Sequence, residues 1–488
     1  MSTLNEHLNI VVVGPFQSGK STFLGHLFAG LQIIDQRTID QYKRECIETQ
    51  RPNCEYAWVF EKTKREKCKS LTNIQLTKGI IAKNSLLFKE KLSHDQLRRT
   101  TMEEFEKMNI SFIDTPGNIK YIKNTIRGIH KGDVSFLVVS ASQKFDDQKE
   151  AIIEKLILLK AFLVDLVAVI ITKMGEVKYS EFRFEETKYK ILDLLKVVRI
   201  KSENVRLIPI DGLRGDNLTV SSKNMTWAIN KTGTVTDLLN TLKTPERSRL
   251  DTLPFRMTVE DVYKISGVGT VLVGIVESGI VRANQLFTVS PSGLSAKTKS
   301  VEMLGNSISE GKSRDFVGVN VANTTCRDYK IGEVLSDLNC PAVRCEQFVA
   351  QIKIVDDRIV KKGWAPTMNI HMAQVPCVVL DIVKILKRNA PEKKLSSVEI
   401  MKEDIAVVTI MPIKPVCVET FHDFPKLGTF VLRDNGNIAA YGGVKEVIPW
   451  SITSKETIMK YCAKHSVFAG RKEASYYYSW RTKDIRLY

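Results

Sequence analysis

The chain has 488 residues, of which 43% are hydrophobic and 26% are charged, and its formal net charge is +17. This length accommodates about three domains, and the composition is that of an ordinary soluble globular protein. The basic excess favours an anionic partner such as nucleic acid, acidic filaments or lipid headgroups, and the alternative is a surface that is basic for solubility alone.

Three features of the sequence predict a cytoplasmic protein without membrane insertion. The nine cysteines form no C-x-x-C pair, which indicates reduced thiols and excludes a zinc site or a disulfide framework. The first ten residues lack a basic segment followed by an apolar one, so no secretory signal is predicted. The apolar stretch 156–172 is interrupted by Lys160 and Asp165 and is too short to span a bilayer. It predicts a buried helix followed by a buried strand.

The first half of the chain alternates apolar runs with segments of helical length. The runs are residues 9–13, 109–114, 134–140 and 166–172. Continuous Val, Ile and Leu runs indicate a parallel sheet covered on both faces. An α/β domain is therefore predicted over residues 1–243, and the polar segment 242–254 is predicted as a linker.

The second half is typical of all-β structure. From residue 253 onward, short β-branched segments are punctuated by glycines, which favours barrels or sandwiches. Two barrels are predicted, over 253–338 and 345–449. The remaining residues, 450–488, form a basic and aromatic tail. Such a tail can stack bases and track phosphates, anchor a protein interface, or fold back onto the last barrel.

A phosphate-binding loop is predicted directly after the first apolar run. Its sequence, GPFQSGKST, fits the pattern G-x-x-x-x-G-K-[ST] between a strand and a helix. The backbone N–H groups of such a loop hold a phosphate chain, its lysine reaches the terminal phosphates, and its serine binds Mg²⁺. The predicted nucleotide-binding residues here are Gly14, Gln17, Ser18, Gly19, Lys20, Ser21 and Thr22, with Ser21 also a metal ligand.

A second phosphate-site motif, D-x-x-G, follows at Asp114 and Gly117. A strand-end aspartate holds the water shell of Mg²⁺, and the following glycine donates its N–H to a γ-phosphate. The motif is weak alone, but after a complete phosphate loop it favours a nucleotidase that switches conformation.

These motifs belong to a longer resemblance. Segments 34–45, 56–62, 121–128, 208–217 and 260–279 resemble the elongation factor 1-alpha family of translational GTPases, and the similarity continues to about residue 449. The resemblance implies a P-loop GTPase domain followed by two β-barrels. It further implies binding of GTP or GDP with Mg²⁺ and delivery of aminoacyl-tRNA to the ribosome. Thr72 falls where the family's switch threonine binds Mg²⁺.

The first departure from the family concerns hydrolysis. The family has a histidine that orients the attacking water, and this chain has Asn118 in its place. Misplacing a catalytic group costs about 10²-fold, and losing general acid–base assistance costs about 10²–10⁴-fold. Intrinsic hydrolysis is therefore predicted to be slow or absent.

The second departure concerns the base. The family reads guanine with N-K-x-D, whereas this chain has Thr172, Lys173, Met174 and Gly175. Lys173 can still lie over the base, but the asparagine and the carboxylate are lost. Losing one partner of a buried charge-assisted pair costs about 2–5 kcal/mol, so a weakened guanine preference is predicted.

Two carboxylates are candidates to compensate for this loss. Glu176 lies one position further on, and Asp211, followed by Gly212, stands where the family has a serine. Asp211 is a candidate for the guanine contact, or for a contact with the N6 amine of adenine. The alternative is that Asp211 is only a turn residue.

The third departure concerns tRNA. Phe316 replaces an asparagine that in the family lies beside the aminoacyl end, and residues 435–437 carry no positive charge near the expected tRNA stem. Two functions therefore compete. One is an elongation-factor-like GTPase that binds aminoacyl-tRNA. The other is a pseudo-GTPase scaffold whose partners are RNA, ribosomes or acidic cytoskeletal filaments.

Overall fold

The structure, a computed structural model, describes residues 6–60, 75–82, 107–229, 231–303, 305–386 and 399–450. The chain divides into two compact units. The first consists of the residues up to Leu253 together with Glu302–Val317, and the second of Pro254–Val301 and the residues from Gly318 onward. Thr72 and residues 451–488 of the predicted tail lie outside the described ranges.

A six-stranded sheet forms the centre of the described part of the first unit. Its order is β2-β3-β1-β4-β5-β6, and all neighbours are parallel except β2, which runs antiparallel to β3. The four predicted runs are confirmed as parts of β1, β3, β4 and β5. The strands are β1 (Glu6–Val13), β2 (Gln75–Ala82), β3 (Lys107–Asp114), β4 (Val134–Ser140), β5 (Asp165–Thr172) and β6 (Arg206–Pro209).

Helices cover this sheet. The predicted helix–strand pair within 156–172 is confirmed as the end of α4 and β5, and one helical turn, α7, lies inside the predicted linker. Within the described ranges, no helix is long and apolar enough to cross a membrane. The helices are α1 (Lys20–Gly30), α2 (Gln36–Glu48), α3 (Ile122–Lys131), α4 (Phe145–Ala161), α5 (Glu181–Val198), α6 (Val235–Thr241) and α7 (Ser248–Asp251).

The helix starts follow local capping chemistry. The Ser180 side chain accepts a hydrogen bond from the Arg183 N–H and begins α5. Thr234 and Asp237 form a reciprocal capping box at the start of α6. By contrast, α1 follows Gly19, which supplies no side-chain cap. This uncapped helix start lies in the predicted phosphate loop.

The core explains why the central strands carry apolar residues on both faces. All seven residues of β4 are buried, because helices pack on both faces of the sheet. On one face, Phe23 and Leu27 of α1 lie in the same buried cluster as Phe112 and Phe136. Because β1, β3, β4 and β5 are parallel, their carboxyl ends meet at one edge, where α/β proteins bind ligands.

The rest of the chain is β-rich, as predicted. In its first part, strands run in the order β10-β15-β7-β8-β14-β11, and a further pairing of β10 with β11 closes the ring. Its strands are β7 (Arg256–Ile265), β8 (Gly269–Ser278), β9 (Val281–Arg282), β10 (Leu286–Ser290), β11 (Leu294–Met303), β12 (Asn306–Ile308), β13 (Glu310–Gly311), β14 (Phe316–Val321) and β15 (Val334–Asp337).

The last part is a closed barrel with the order β16-β19-β18-β17-β20-β21. Asn435 and Gly436 join its last two strands with positive φ angles of 50° and 89°, the geometry of a two-residue type I′ hairpin. This turn accounts for Asn435 and Gly436, and Asn437 begins the last strand. The strands are β16 (Cys345–Ile354), β17 (Thr367–Ile370), β18 (Ala373–Leu386), β19 (Ile405–Pro412), β20 (Thr429–Asp434) and β21 (Asn437–Pro449).

Candidate nucleotide site

The predicted phosphate loop joins the buried strand β1 to α1. Gly14 leaves no room for a side chain, since a Cβ there would overlap the carbonyl oxygen of Val138 on β4. Gly19 has a φ angle of 88°, a left-handed conformation that favours glycine. The two glycines therefore hold the loop against the sheet and turn it into an uncapped helix, where phosphate binds well.

Lys20 lies folded over this loop and is only 6% exposed. Its Nζ donates to the carbonyl oxygens of Gly14 at 3.2 Å and Pro15 at 2.7 Å. Burial lowers the pKa of Lys20 to about 8, while the charge of Asp114 opposes the shift. The ammonium group is therefore held where its charge is poorly solvated, and an anion would stabilise it.

Ser21 and Asp114 meet beside Lys20. The Ser21 hydroxyl donates to Oδ2 of Asp114 at 2.6 Å. Asp114 is fully buried, and its Oδ1 has no hydrogen-bond partner among the described residues. Burial raises the pKa of Asp114 to about 6, against the opposing effects of Lys20 and Ser21. An unpartnered carboxylate oxygen next to a hydroxyl fits Mg²⁺, which prefers oxygen ligands.

Gly117 lies against the same loop. A Cβ there would come within 2.7 Å of both Lys20 Nζ and Phe16 N. The D-x-x-G glycine and the phosphate loop thus pack with no space for a side chain, which brings the two predicted motifs together.

Asn118 is half-buried and begins the short 3-10 turn Ile119–Tyr121. Its Oδ1 accepts the Lys120 N–H at 3.0 Å. The amide oxygen of Asn118, which is predicted to stand in place of the family's histidine, therefore caps its own turn.

Thr172 lies at the end of β5 and contacts the phosphate loop. Its hydroxyl is 2.6 Å from the Ser18 carbonyl oxygen and 3.2 Å from that of Val139. The next residue, Lys173, has a left-handed φ angle of 62°, and its Nζ is 3.9 Å from the Glu176 carboxylate. Thr172 thus ties the end of β5, where the base contact is predicted, to the phosphate loop.

Asp211 lies beside Gly175 and is 6% exposed. Its Oδ2 accepts the Gly175 N–H at 3.0 Å. Its Oδ1 accepts the N–H groups of Leu213 at 3.0 Å and Arg214 at 3.1 Å. The adjacent Gly212 packs on α1, where a Cβ would lie 3.3 Å from the Phe23 Cα. The structure therefore brings Asp211, Gly212 and Gly175 to one place, whereas the Glu176 carboxylate points to Lys173.

Near this loop lies a stacked pair of rings that no sequence pattern predicts. The His26 ring stacks on Tyr56 with centroids 4.0 Å apart, and its Nδ1 is 2.8 Å from the Gly212 carbonyl oxygen. Burial lowers the pKa of His26. His26 thus links α1 to the segment that carries Asp211, through residues far apart in the sequence.

Comparison with known families agrees with this geometry. The family described as the elongation factor Tu GTP binding domain matches residues 5–272. A second family, the GTP-eEF1A C-terminal domain-like family, matches residues 347–445. The two matches cover the parallel sheet and the closed barrel.

Relatives and solved structures extend the similarity over most of the chain. Elongation factor 1-alpha of Entamoeba histolytica is 36% identical over 452 residues, covering 91% of this chain and 96% of its own length. Elongation factor 1-alpha of Plasmodium falciparum is 36% identical over 449 residues, covering 90% and 95%.

Two crystal structures share the fold at low identity. The GTP-bound Ski7 GTPase-like domain of S. cerevisiae has a TM-score of 0.69 at 16% identity and covers 90% of this chain and 97% of its own. Elongation factor SelB of Methanococcus maripaludis has a TM-score of 0.61 at 18% identity, with coverages of 91% and 80%. One family match spans more than half of the residues of the chain, and the two relatives each cover about nine-tenths of it. The chain therefore belongs, as a divergent member, to the translational GTPases of the elongation factor Tu and elongation factor 1-alpha type.

Proposed function

We propose that the chain binds GTP or GDP with Mg²⁺ and, in its GTP form, aminoacyl-tRNA. The observation that carries the nucleotide proposal is the buried cluster of Lys20, Ser21 and Asp114. Two of its groups have pKa values shifted by burial toward their neutral forms. Ionisable groups with shifted pKa values, in a loop whose backbone N–H groups favour anions, are typical of a ligand site.

Each of these residues has a separate role. Lys20 neutralises the β- and γ-phosphates, the Ser21 hydroxyl binds Mg²⁺, and Asp114 orders the metal's water shell, with Thr72 as a further predicted ligand. Mg²⁺, when bound, neutralises charge that develops on the phosphates. Gly117 donates its backbone N–H to the γ-phosphate, and its lack of a side chain lets it pack directly against Lys20 and the phosphate loop.

Hydrolysis is proposed to be slow. Asn118 uses its Oδ1 to accept the Lys120 N–H, and an amide cannot become a cation. The group that would orient water in the family is therefore replaced by one with a different reach and no second protonation state.

A second candidate is a scaffold that binds nucleotide without switching. It is favoured by Phe316, which is predicted to stand where the family has an asparagine near the tRNA. The centroid of the Phe316 ring lies 5.1 Å from the Lys131 Nζ. RNA and ribosomes are the partners that such a scaffold shares with the first proposal. The named relatives are translation factors and give no support for cytoskeletal filaments.

The test is equilibrium binding of GTP, GDP and ATP to the purified protein with Mg²⁺. Lys20→Ala is expected to weaken binding of every triphosphate about a hundredfold, equivalent to about 2.7 kcal/mol. The control is Lys144→Ala, which removes an exposed lysine of the same unit. Wild-type protein that binds no nucleotide, or a Lys20→Ala variant that binds as tightly as Lys144→Ala, would contradict the proposal.

A further inference from the structure

The space beside Gly175 is filled by a carboxylate from another loop. A Cβ built on Gly175 would overlap Oδ2 of Asp211, closer than any non-bonded contact. That separation is close to the one between Cβ and a carboxylate oxygen within a single aspartate. An oxygen of Asp211 therefore lies about as far from this Cβ position as a carboxylate oxygen of an aspartate at position 175 would lie.

We propose that Asp211 reads guanine in place of the aspartate that the family carries at position 175. This inference rests on the proposed nucleotide function. The two differences from the family form one exchange: the carboxylate is lost from the loop after β5 and gained in the loop after β6. Glycine is required at 175, because any side chain there would collide with Asp211.

The hydrogen bonds leave one oxygen of Asp211 with capacity for the base. Its Oδ1 accepts two N–H groups, from Leu213 and Arg214, which use its two lone pairs. Its Oδ2 accepts one, from Gly175. The Gly175 N–H thus fixes the direction of Oδ2 while a further donor can still approach it.

The base that fits this acceptor is guanine. Guanine presents its N1–H and its N2 amine side by side, and both are donors. Adenine presents the lone pair of N1 at the same edge, which a carboxylate repels. The Arg214 Nη1 lies 3.1 Å from the built Cβ position, so a cation borders the carboxylate.

The competing explanation is that Asp211 only closes its own turn through Leu213 and Arg214. Asparagine separates the two explanations, because its Oδ1 still accepts the Leu213 and Arg214 N–H groups that close the turn. Its Nδ2 replaces the reading oxygen and no longer accepts the Gly175 N–H. Xanthine carries a carbonyl oxygen at C2 where guanine has an amine. An asparagine at this position would therefore donate to xanthine and lose guanine.

The experiment measures binding of GTP, ATP and xanthosine triphosphate with Mg²⁺ to wild type, Asp211→Asn and Asp216→Asn. Asp216 is a matched control, because it lies in the same loop and its carboxylate bonds Tyr179 and Ser222 instead. Asp211→Asn is expected to lower the GTP affinity at least tenfold and to raise that for xanthosine triphosphate. Asp216→Asn is expected to keep the wild-type ratio of the two affinities.

An unchanged ratio in Asp211→Asn would overturn the inference, and so would wild-type protein that binds GTP and ATP alike. In both cases the proposed nucleotide binding would stand. Absence of any triphosphate binding by wild type would overturn both. If Asp211→Asn does not fold, the double variant Gly175→Asp with Asp211→Ser tests the same exchange. It is expected to retain guanine preference, and loss of that preference would count against the exchange.

Discussion

Lys20 and Asp114 show how single residues prepare the phosphate site. Burial shifts the pKa of Lys20 down to about 8 and that of Asp114 up to about 6, and the two charges partly oppose these shifts. At neutral pH both groups remain charged with little solvent around them. A ligand that brings phosphate and Mg²⁺ would supply the partners that burial has removed.

The first residue-scale prediction concerns Asn118→His. Restoring the family's histidine is expected to raise the rate of GTP hydrolysis about tenfold to a hundredfold, because a positioned imidazole can orient water and take part in proton transfer. The measurement is single-turnover hydrolysis with saturating Mg²⁺.

Asn118→Ala is the control for this prediction, since it removes the cap on the Lys120 N–H without adding an imidazole. Equal rates for the histidine and alanine variants would show that Asn118 is not what limits hydrolysis.

The sequence predicts the phosphate half of the candidate site better than the base half. The phosphate loop is contiguous, so its glycines, lysine and serine are visible in nine residues directly after the apolar run of β1. The base half depends on contacts between distant segments, such as Asp211 with Gly175 and His26 with Tyr56. The alignment of β6 beside β5 creates the first of these contacts, and local pattern does not reveal it.

At the scale of elements, Arg314 fixes the end of α3. Its Nε donates to Asp133 Oδ1 at 3.0 Å, and its guanidinium is 3.1 Å from the carbonyl oxygens of His130, Lys131 and Gly132. A cation at a helix C-terminus interacts favourably with the helix dipole. Arg314 adopts a φ angle of 69°, a left-handed conformation that favours glycine. The side-chain bonds thus compensate for an unfavourable backbone.

Arg314→Ala is predicted to lower the free energy of unfolding by about 3–5 kcal/mol, since it removes one partner of a buried ion pair. Urea denaturation followed by circular dichroism measures the change. The control is Arg199→Ala: Arg199 also has a left-handed φ angle, 60°, but is exposed. Both variants place alanine at a left-handed φ angle. Equal losses in the free energy of unfolding would therefore show that the buried ion pair contributes nothing to stability.

The same cluster predicts a pH dependence. Burial alone would raise the pKa of Asp133, but Arg314, Arg247 and the Asn9 N–H hold it below its ordinary value. A lowered carboxyl pKa contributes stability that is present above the unfolded pKa of about 3.9 and is lost as pH falls through the folded pKa.

Asp133→Asn is therefore expected to be less stable than wild type at pH 7. The difference between their free energies of unfolding is expected to narrow as pH falls below about 4. Urea midpoints of both proteins across this range measure it. A gap that stays constant down to the acid limit would mean that the ionised carboxylate is not the stabilising species.

At the scale of the whole molecule, the sequence predicts strands best where both faces are covered. β4 is buried at every position and matches its predicted run residue for residue. The antiparallel edge strand β2 was missed, because QLTKGIIA mixes polar and apolar residues. The helical turn α7 was missed because four residues give no periodicity. The boundaries 1–243, 253–338, 345–449 and 450–488 stay predictions.

The net charge of +17 belongs to the whole chain and bears on the choice between the two functions. A basic surface binds any RNA through phosphate contacts, so binding alone does not distinguish a tRNA-delivering factor from a scaffold. What distinguishes them is whether the nucleotide changes the affinity. Phe316 and the uncharged residues 435–437 are predicted to weaken two places where the family is expected to meet tRNA.

The last prediction is a salt titration of aminoacyl-tRNA binding in GTP and in GDP. A protein that contacts 6–10 phosphates loses about 10³–10⁵-fold in affinity between about 50 and 200 mM salt, so both curves are expected to fall steeply. For a factor that switches, the GTP curve is expected to lie above the GDP curve at every salt concentration, because salt screens the phosphate contacts common to both states. Lys20→Ala should merge the two curves. Coincident curves in the wild type would identify the scaffold, since a basic surface without a switch binds RNA equally in both states.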